Sequence, residues 1–194
     1  MGRIGKDDRH LRNAPLSEVL REAAEPHVER GKIVNSAIIG DLDPADQPKI
    51  YRHPEIIHGL RNMIQNAVDF ANSAIWVDYS WDDENITIRI SDDGRGYPEH
   101  MLNRIGDPFV RSKKQGSDRN QRPGYKGMGL GLFIAKTLLE RTGASLKFAN
   151  GSNADTVRQK STERSGAIVQ ITWERSQIEH RAQELGPNVM MDQY

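Results

Sequence analysis

Apolar residues recur along this chain at two different spacings, and the changes of spacing divide it into elements. Pro15 opens residues 16–30, in which Val19, Leu20, Ala23, Ala24 and Val28 form one apolar stripe, so a helix is predicted there. Pro26 should kink it and Gly31 should end it. Residues 33–39 read as a strand, and residues 41–48, with two prolines and three aspartates, as a loop. The clearest helical pattern covers residues 54–72. At about 100° per residue, Ile57, Leu60, Ile64, Ala67, Val68 and Ala71 share one face. Asn62, Asn66, Asp69 and Ser73 gather on the opposite face. Residues 74–80 and 85–91 read as strands joined by the polar turn 82–84, a hairpin. A second strong helix is predicted over residues 130–141, ended by Thr142-Gly143. Two further strands follow, at 145–149 and 167–173, separated by a polar loop.

The order is helix, strand, helix, hairpin, long loop, helix, hairpin. It predicts a two-layer α/β sandwich, with a mixed sheet of about five strands and helices on one of its faces. The hairpins argue against a doubly wound parallel sheet. Residues 1–15 read as a disordered segment or linker remnant, 16–173 as the folded domain, and 174–194 as a polar tail without a core-forming pattern.

Composition narrows the function. With 27 basic and 27 acidic residues the 194-residue chain is formally neutral, so it lacks the electrostatic drive that nucleic-acid binding needs. It has no cysteine, which excludes disulfides, zinc thiolates and thiol chemistry from this chain. No apolar run is long enough to span a bilayer, so no membrane contact by this piece is expected, and the Met-Gly-Arg start is not a signal peptide.

Four segments carry candidate chemistry. Asp92-Asp93-Gly94-Arg95-Gly96-Tyr97-Pro98 follows a strand. Gly94 and Gly96 would let the backbone approach a planar ligand, and a carboxylate beside them can accept from an exocyclic amine; alone, the segment reads more readily as a strand-ending turn. Gly124-Tyr125-Lys126-Gly127-Met128-Gly129-Leu130-Gly131-Leu132 runs into a helix, whose N-terminal N–H groups favour anions. Its spacing fits neither a Rossmann fingerprint nor a Walker loop. Asn62 and Asn66, spaced i and i+4, can converge their amide oxygens on one cation such as Mg²⁺, although a solvated helix face would look the same. Finally, Gly106-Asp107-Pro108-Phe109-Val110-Arg111-Ser112 leads into a basic run over 112–126, with Lys113, Lys114, Arg119, Arg122 and Lys126, that reads as a lid over charge or simply as solvated loop.

Taken in order, Asn-x-x-x-Asn-Ala, Asp-x-Gly-x-Gly, Pro-Phe-x-Arg and Gly-x-Gly-Leu-Gly-Leu resemble the N, G1, F and G2 boxes of the GHKL ATPase superfamily. Gly-Met-Gly-Leu-Gly-Leu-Phe-Ile-Ala-Lys is similar to the sensor histidine kinase branch, and Asn-Ala-Val-Asp-Phe-Ala to its RegB/PrrB group of redox-responsive regulators. The resemblance implies a Bergerat ATP-binding fold and ATP with Mg²⁺ as ligands. By motif, Asp92 would bind the adenine amine and Gly94 and Gly96 would line the base pocket. Asn66 would ligate Mg²⁺ with Asn62 in support. Lys126, Gly127, Gly129, Leu130 and Gly131 would surround the phosphates, with Leu132 packed near the base. Phe109 and Arg111 would belong to the lid and to the contact with a partner domain.

The implied activity is transfer of the ATP γ-phosphoryl group to a histidine on a separate dimerisation domain. The implied partners are that domain and a cognate response regulator, and the implied setting is a cytoplasmic domain of an inner-membrane sensor. Two departures stand out. None of His10, His27, His53, His58, His100 and His180 lies in the His-Glu-x-x-x-x-Pro context of an acceptor, so no self-labelling is expected and the chain looks like an excised domain. Asp69 stands where the resembling kinases commonly carry a basic residue facing phosphate, so its carboxylate is expected near the triphosphate or the Mg²⁺ shell. A hydrolysing clamp ATPase of the same superfamily would usually carry Glu just before the Asn-Ala; here the segment reads Met63-Ile64-Gln65-Asn66. A nucleotide-binding module without phosphotransfer is the remaining alternative.

Overall fold

The structure, a computed structural model, describes residues 13–99, 102, 105, 128–151 and 164–180, with the side chains of 128–130 excepted. Its elements in chain order are β1 (Asn13–Pro15), α1 (Leu16–Ala24), β2 (Ile33–Ile38), β3 (Lys49–Tyr51), α2 (Pro54–Phe70), β4 (Ala74–Trp81), β5 (Asn85–Asp92), α3 (Met128–Arg141), β6 (Ser145–Asn150), β7 (Ala167–Glu174) and the short α4 (Arg175–Ile178). Five strands form one sheet in the order β2-β4-β5-β7-β6. β2 runs parallel to β4, and the other pairs are antiparallel. The expected mixed five-stranded sheet with helices on one face is what forms.

Alternation along the strands puts one row of side chains under the helices. Ile75, Val77, Tyr79 and Trp81 of β4 stand opposite Asp92, Ile90, Ile88 and Ile86 of β5. The row continues into β7, where Ile86, Ile88 and Ile90 pair with Trp173, Ile171 and Val169. All of these apolar positions are buried. α2 lies on this row and is flanked by α1 and α3, so its buried arc is wide. Ile56, Gly59 and Met63 join Leu60, Ile64, Ala67 and Val68 inside, whereas Ile57, expected in the core, is only partly covered. At Gly59 a methyl group would meet Leu139 Cγ of α3 at 2.5 Å, so the Leu139 side chain packs directly on the α2 backbone there.

The first helix is shorter than its apolar stripe suggested. α1 stops at Ala24 and passes into a 3-10 turn, Glu25–His27, with Pro26 inside it. Proline removes an amide donor and crowds the preceding turn, which is why the break falls here. Val28, read from the pattern as part of the stripe, is 57% exposed.

Ordered packing also extends past the bounds of 16–173 read from the sequence. β1 pairs with β3, and on the other side of β3 Ile50 bridges to Glu179, with His180 N donating to Lys49 O at 2.7 Å. Ile50 and Ile178 are both buried. Segments this short, beside Pro15 and Pro48, are invisible to a periodicity argument.

His27 is buried in the 3-10 turn, and neither ring nitrogen has a hydrogen-bond partner among the described residues. Burial, and then the nearby Arg30 charge, lowers its pKa below 6.5. The folded state therefore resists a proton that the unfolded chain accepts near pH 6.5. Stability should be full above that pH and decline as pH falls through it. Urea midpoints at pH 7.5 and 5.5 should separate more for the wild type than for His27→Leu; equal separations would remove His27 as the cause.

Candidate functional site

The row of isoleucines in β5 is followed, at the next inward position, by Asp92. The strand's own alternation thus sets a carboxylate into the apolar face, where it is 2% exposed. Its Oδ1 accepts from Gly94 N at 2.8 Å and from Ala167 N at 3.1 Å, and its carbonyl accepts from Gly166 N at 2.9 Å. Among the described residues Oδ2 accepts no hydrogen bond, so one lone-pair-bearing oxygen is left for a donor from outside. Burial raises the Asp92 pKa, the two amide bonds oppose it, and the neighbouring Asp93 charge adds to the rise.

The main chain comes this close only because two positions lack side chains. A methyl group on Gly166 would lie 1.9 Å from Asp92 Oδ1 and 2.6 Å from Gly94 N. On Gly94 it would lie 2.3 Å from Phe70 O at the end of α2. Gly94 is therefore packed against the end of α2, and Gly166 is a supporting residue that the sequence reading passed over as part of a polar loop.

Asp93 has a different task. It accepts from Asn72 N, Ser73 N and Ser73 Oγ, tying the end of β5 to the turn between α2 and β4. Partial burial would raise its pKa, but these donors hold it below the usual carboxylate range. Beyond it, Gly96 takes a positive φ of 74°, a backbone state that favours glycine. The chain then reaches Tyr97, whose N donates to Asn150 Oδ1 at 2.6 Å and whose O accepts from Asn150 Nδ2 at 2.7 Å. Asn150 is buried at the end of β6, and the Tyr97 ring stands edge-on to Phe148 of the same strand. Burial, and secondarily the Asp92 charge, pushes the Tyr97 hydroxyl pKa up. Tyr97 and Asn150 were not singled out from sequence, since an Asn before a Gly looks like ordinary turn chemistry.

On α2, Asn62 and Asn66 are half-buried on the polar face, and neither side-chain amide has a hydrogen-bond partner among the described residues. Two neutral oxygens one turn apart fit a hard cation that takes most of its ligands from phosphate and water. Asp69, expected near the triphosphate, has partners of its own: Arg30 Nη2 donates to Oδ1 at 2.8 Å, and Gln65 Nε2 lies 2.9 and 2.8 Å from its two oxygens. α3 begins at Met128, which puts Gly129, Leu130 and Gly131 in its first turn. A methyl group on Gly131 would meet open space, and Leu132 is buried. Phe109, Arg111, Lys126, Gly127 and the expected lid at 112–126 lie outside the described residues. No described helix is long and apolar enough to cross a membrane.

Residues 52–177 match the family model described as "Histidine kinase-, DNA gyrase B-, and HSP90-like ATPase". The chain is 55% identical over 98% of its length to the sensor histidine kinase RegB of Cereibacter sphaeroides. It spans 42% of that relative. The fold is also that of a mycobacterial sensor histidine kinase, MprB, with a TM-score of 0.59 at 20% identity, covering 84% of this chain and 97% of that one. The catalytic domain of histidine kinase ThkA gives a TM-score of 0.60 at 18% identity over 84% of this chain and 93% of that one.

Gly166 gives a direct test of how the carboxylate is held. Gly166→Ala should destabilise the fold by about 1–3 kcal/mol, the usual range for forcing a methyl group into close-packed surroundings. Gly131→Ala, facing open space, should fold as well as the wild type. Chemical denaturation of both variants checks the contrast, and equal stabilities would mean the main chain yields at Gly166.

Proposed function

The chain belongs to the histidine kinase-, DNA gyrase B- and HSP90-like ATPase family, and on that premise we propose that it binds ATP with Mg²⁺ and donates the γ-phosphoryl group to a histidine on a separate dimerisation domain. The observation that carries the reading is Asp92: a buried carboxylate with one oxygen fixed by main chain and the other available to an exocyclic amine. The adenine edge would sit against Asp92, between the Gly94–Tyr97 backbone and Leu132.

Asn66, helped by Asn62, would hold Mg²⁺ through its amide oxygen. When bound, the ion would supply neutralisation of the phosphate charge. Gly127, Gly129 and Gly131, with Leu130 and Lys126, would surround the phosphates at the start of α3, where the dipole favours anions. Phe109 and Arg111 would contact the acceptor domain, and the stretch 112–126 would close over the nucleotide.

In the transfer, an imidazole nitrogen of the acceptor attacks γ-phosphorus. The bond from that phosphorus to the β,γ-bridging oxygen breaks, and ADP carries the electron pair away. The imidazole proton passes to a base on the acceptor domain. This chain's part is positioning and electrostatic stabilisation rather than covalent chemistry. Absence of any Glu in α2 after Glu55 speaks against activation of water, and so against a hydrolysing clamp. The same reading makes the chain the cytoplasmic catalytic piece of a membrane-bound sensor, with a response regulator as the final acceptor.

Incubation with γ-labelled ATP should label a supplied dimerisation domain and leave this chain unlabelled; acid-labile label on the isolated chain would overturn the assignment of donor and acceptor. Asp92→Asn keeps an oxygen for Gly94 and Ala167 but removes the charge. It should lower ATP affinity about ten- to hundredfold, the worth of a charge-assisted hydrogen bond in a dry pocket, while circular dichroism stays unchanged. Because burial raises the Asp92 pKa, wild-type affinity should also fade as pH is lowered, and the Asn variant should lack that dependence. Calorimetric titration across pH 5–8 reads both; unchanged affinity in Asp92→Asn would place the base elsewhere.

A further inference from the structure

The polar face of α2 carries Asn62, Gln65, Asn66 and Asp69. A triphosphate at Asn66 would approach the carboxylate of Asp69, one turn further along the same face, and like charges there would weaken binding. The structure resolves that conflict with a residue from a distant part of the chain. Arg30 arrives from the connection between the 3-10 turn and β2, 39 positions before Asp69, and donates through Nη2 to Asp69 Oδ1. Gln65 fills the remaining space on the carboxylate by reaching both oxygens. Asp69 is thereby occupied by donors from its own protein, and its negative charge is matched at contact.

Arg30 is not used up by this contact. A guanidinium has five donor hydrogens in a rigid fork, and the single bond to Asp69 leaves the rest of the fork available. Its side chain is 41% exposed, and its partner Asp69 lies one turn from Asn66 on α2. An ion pair this exposed contributes little to stability, which leaves its placement without a structural explanation.

We propose that Arg30 is a phosphate-contacting residue of the nucleotide site, with Asp69 and Gln65 as the residues that position it. The inference rests on the ATP-binding reading and assigns Asp69 a role different from direct contact with nucleotide. Asp69 anchors the guanidinium, and the guanidinium's outward edge meets the terminal phosphates of the nucleotide held at Asn66. The charge pattern offered to the ligand is therefore cationic, although the helix itself carries an acid.

Calorimetric titration of wild type, Arg30→Ala, Asp69→Ala and the Arg30→Ala/Asp69→Ala double variant with Mg²⁺-ATP and with adenosine tests this. Arg30→Ala should bind ATP about tenfold more weakly, as expected for loss of a charged hydrogen bond, and adenosine unchanged. The double variant should stay weak for ATP, because removing Asp69 does not replace the lost donor. Recovery of wild-type ATP affinity in the double variant would show that Arg30 only screens Asp69, and would overturn the proposal. So would an equal loss for ATP and adenosine, or no loss at all. Failure of the wild type to bind ATP at all would instead sink the underlying reading, and this one with it. The charge swap Arg30→Asp/Asp69→Arg provides a second, independent variant: it should retain ATP affinity above that of Arg30→Ala, and a value at or below it counts against the proposal.

Discussion

A carboxylate buried in the apolar face of a sheet is costly unless main-chain donors take the place of water. Asp92 satisfies that condition through Gly94 N and Ala167 N, and much of the architecture around it follows from the need to bring those two amides together. β7 must begin beside the end of β5, which the antiparallel register of Ser91 with Ile168 secures. Gly166 must have no side chain, and Gly94 must press against the carbonyl of Phe70. The end of α2, the end of β5 and the start of β7 are thus fixed relative to one another by one acidic side chain. Asp93, next in sequence, closes the same junction from the other side by holding Asn72 and Ser73.

α2 is the second organising element, because it is buried on a wide arc and polar on the remainder. Its inner side packs on β4 and β5 and between α1 and α3, with direct contact at Gly59 and Leu139. A helix held this way has little freedom to rotate, so the polar face with Asn62 and Asn66 keeps a fixed orientation. Asn150 does for the loop after β5 what packing does for α2: its side-chain amide takes both backbone groups of Tyr97 and sets the path of the chain past Gly96.

The large elements were legible in the sequence because their apolar spacing is regular. β4, β5 and β7 were placed within a residue or so, and the glycine-rich run before α3 was recognisable as a helix entry. The burial of Asp92 was legible from the alternation of its strand, whereas Asp-x-Gly-x-Gly alone reads as a strand-ending turn and gained meaning only from the order of the four segments. Other parts had no such signal. β1 and β3 are three residues each and owe their existence to pairing, not to their own propensity. Gly166 and Asn150 act through contacts with residues 74 and 53 positions away, which no local pattern encodes. The partner of Asp69 was hidden for the same reason: Arg30 looked like one more charge at the end of a helix, and only the fold brings it across.

The arrangement of β3 has a consequence for how this domain can be rewired. Asn13–Pro15 lies along one edge of β3, and Glu179-His180 lies along the other. Asn13 and His180 are therefore separated by about two strand spacings, roughly 10 Å. A linker of a few glycines could join them, and new ends could be opened at the polar turn after Trp81, leaving every strand pair of the sheet in place. In such a permuted chain β4 and β5 would cease to be sequence neighbours, and the domain could be inserted into a host protein through a turn that lies far along the chain from both Asn13 and His180.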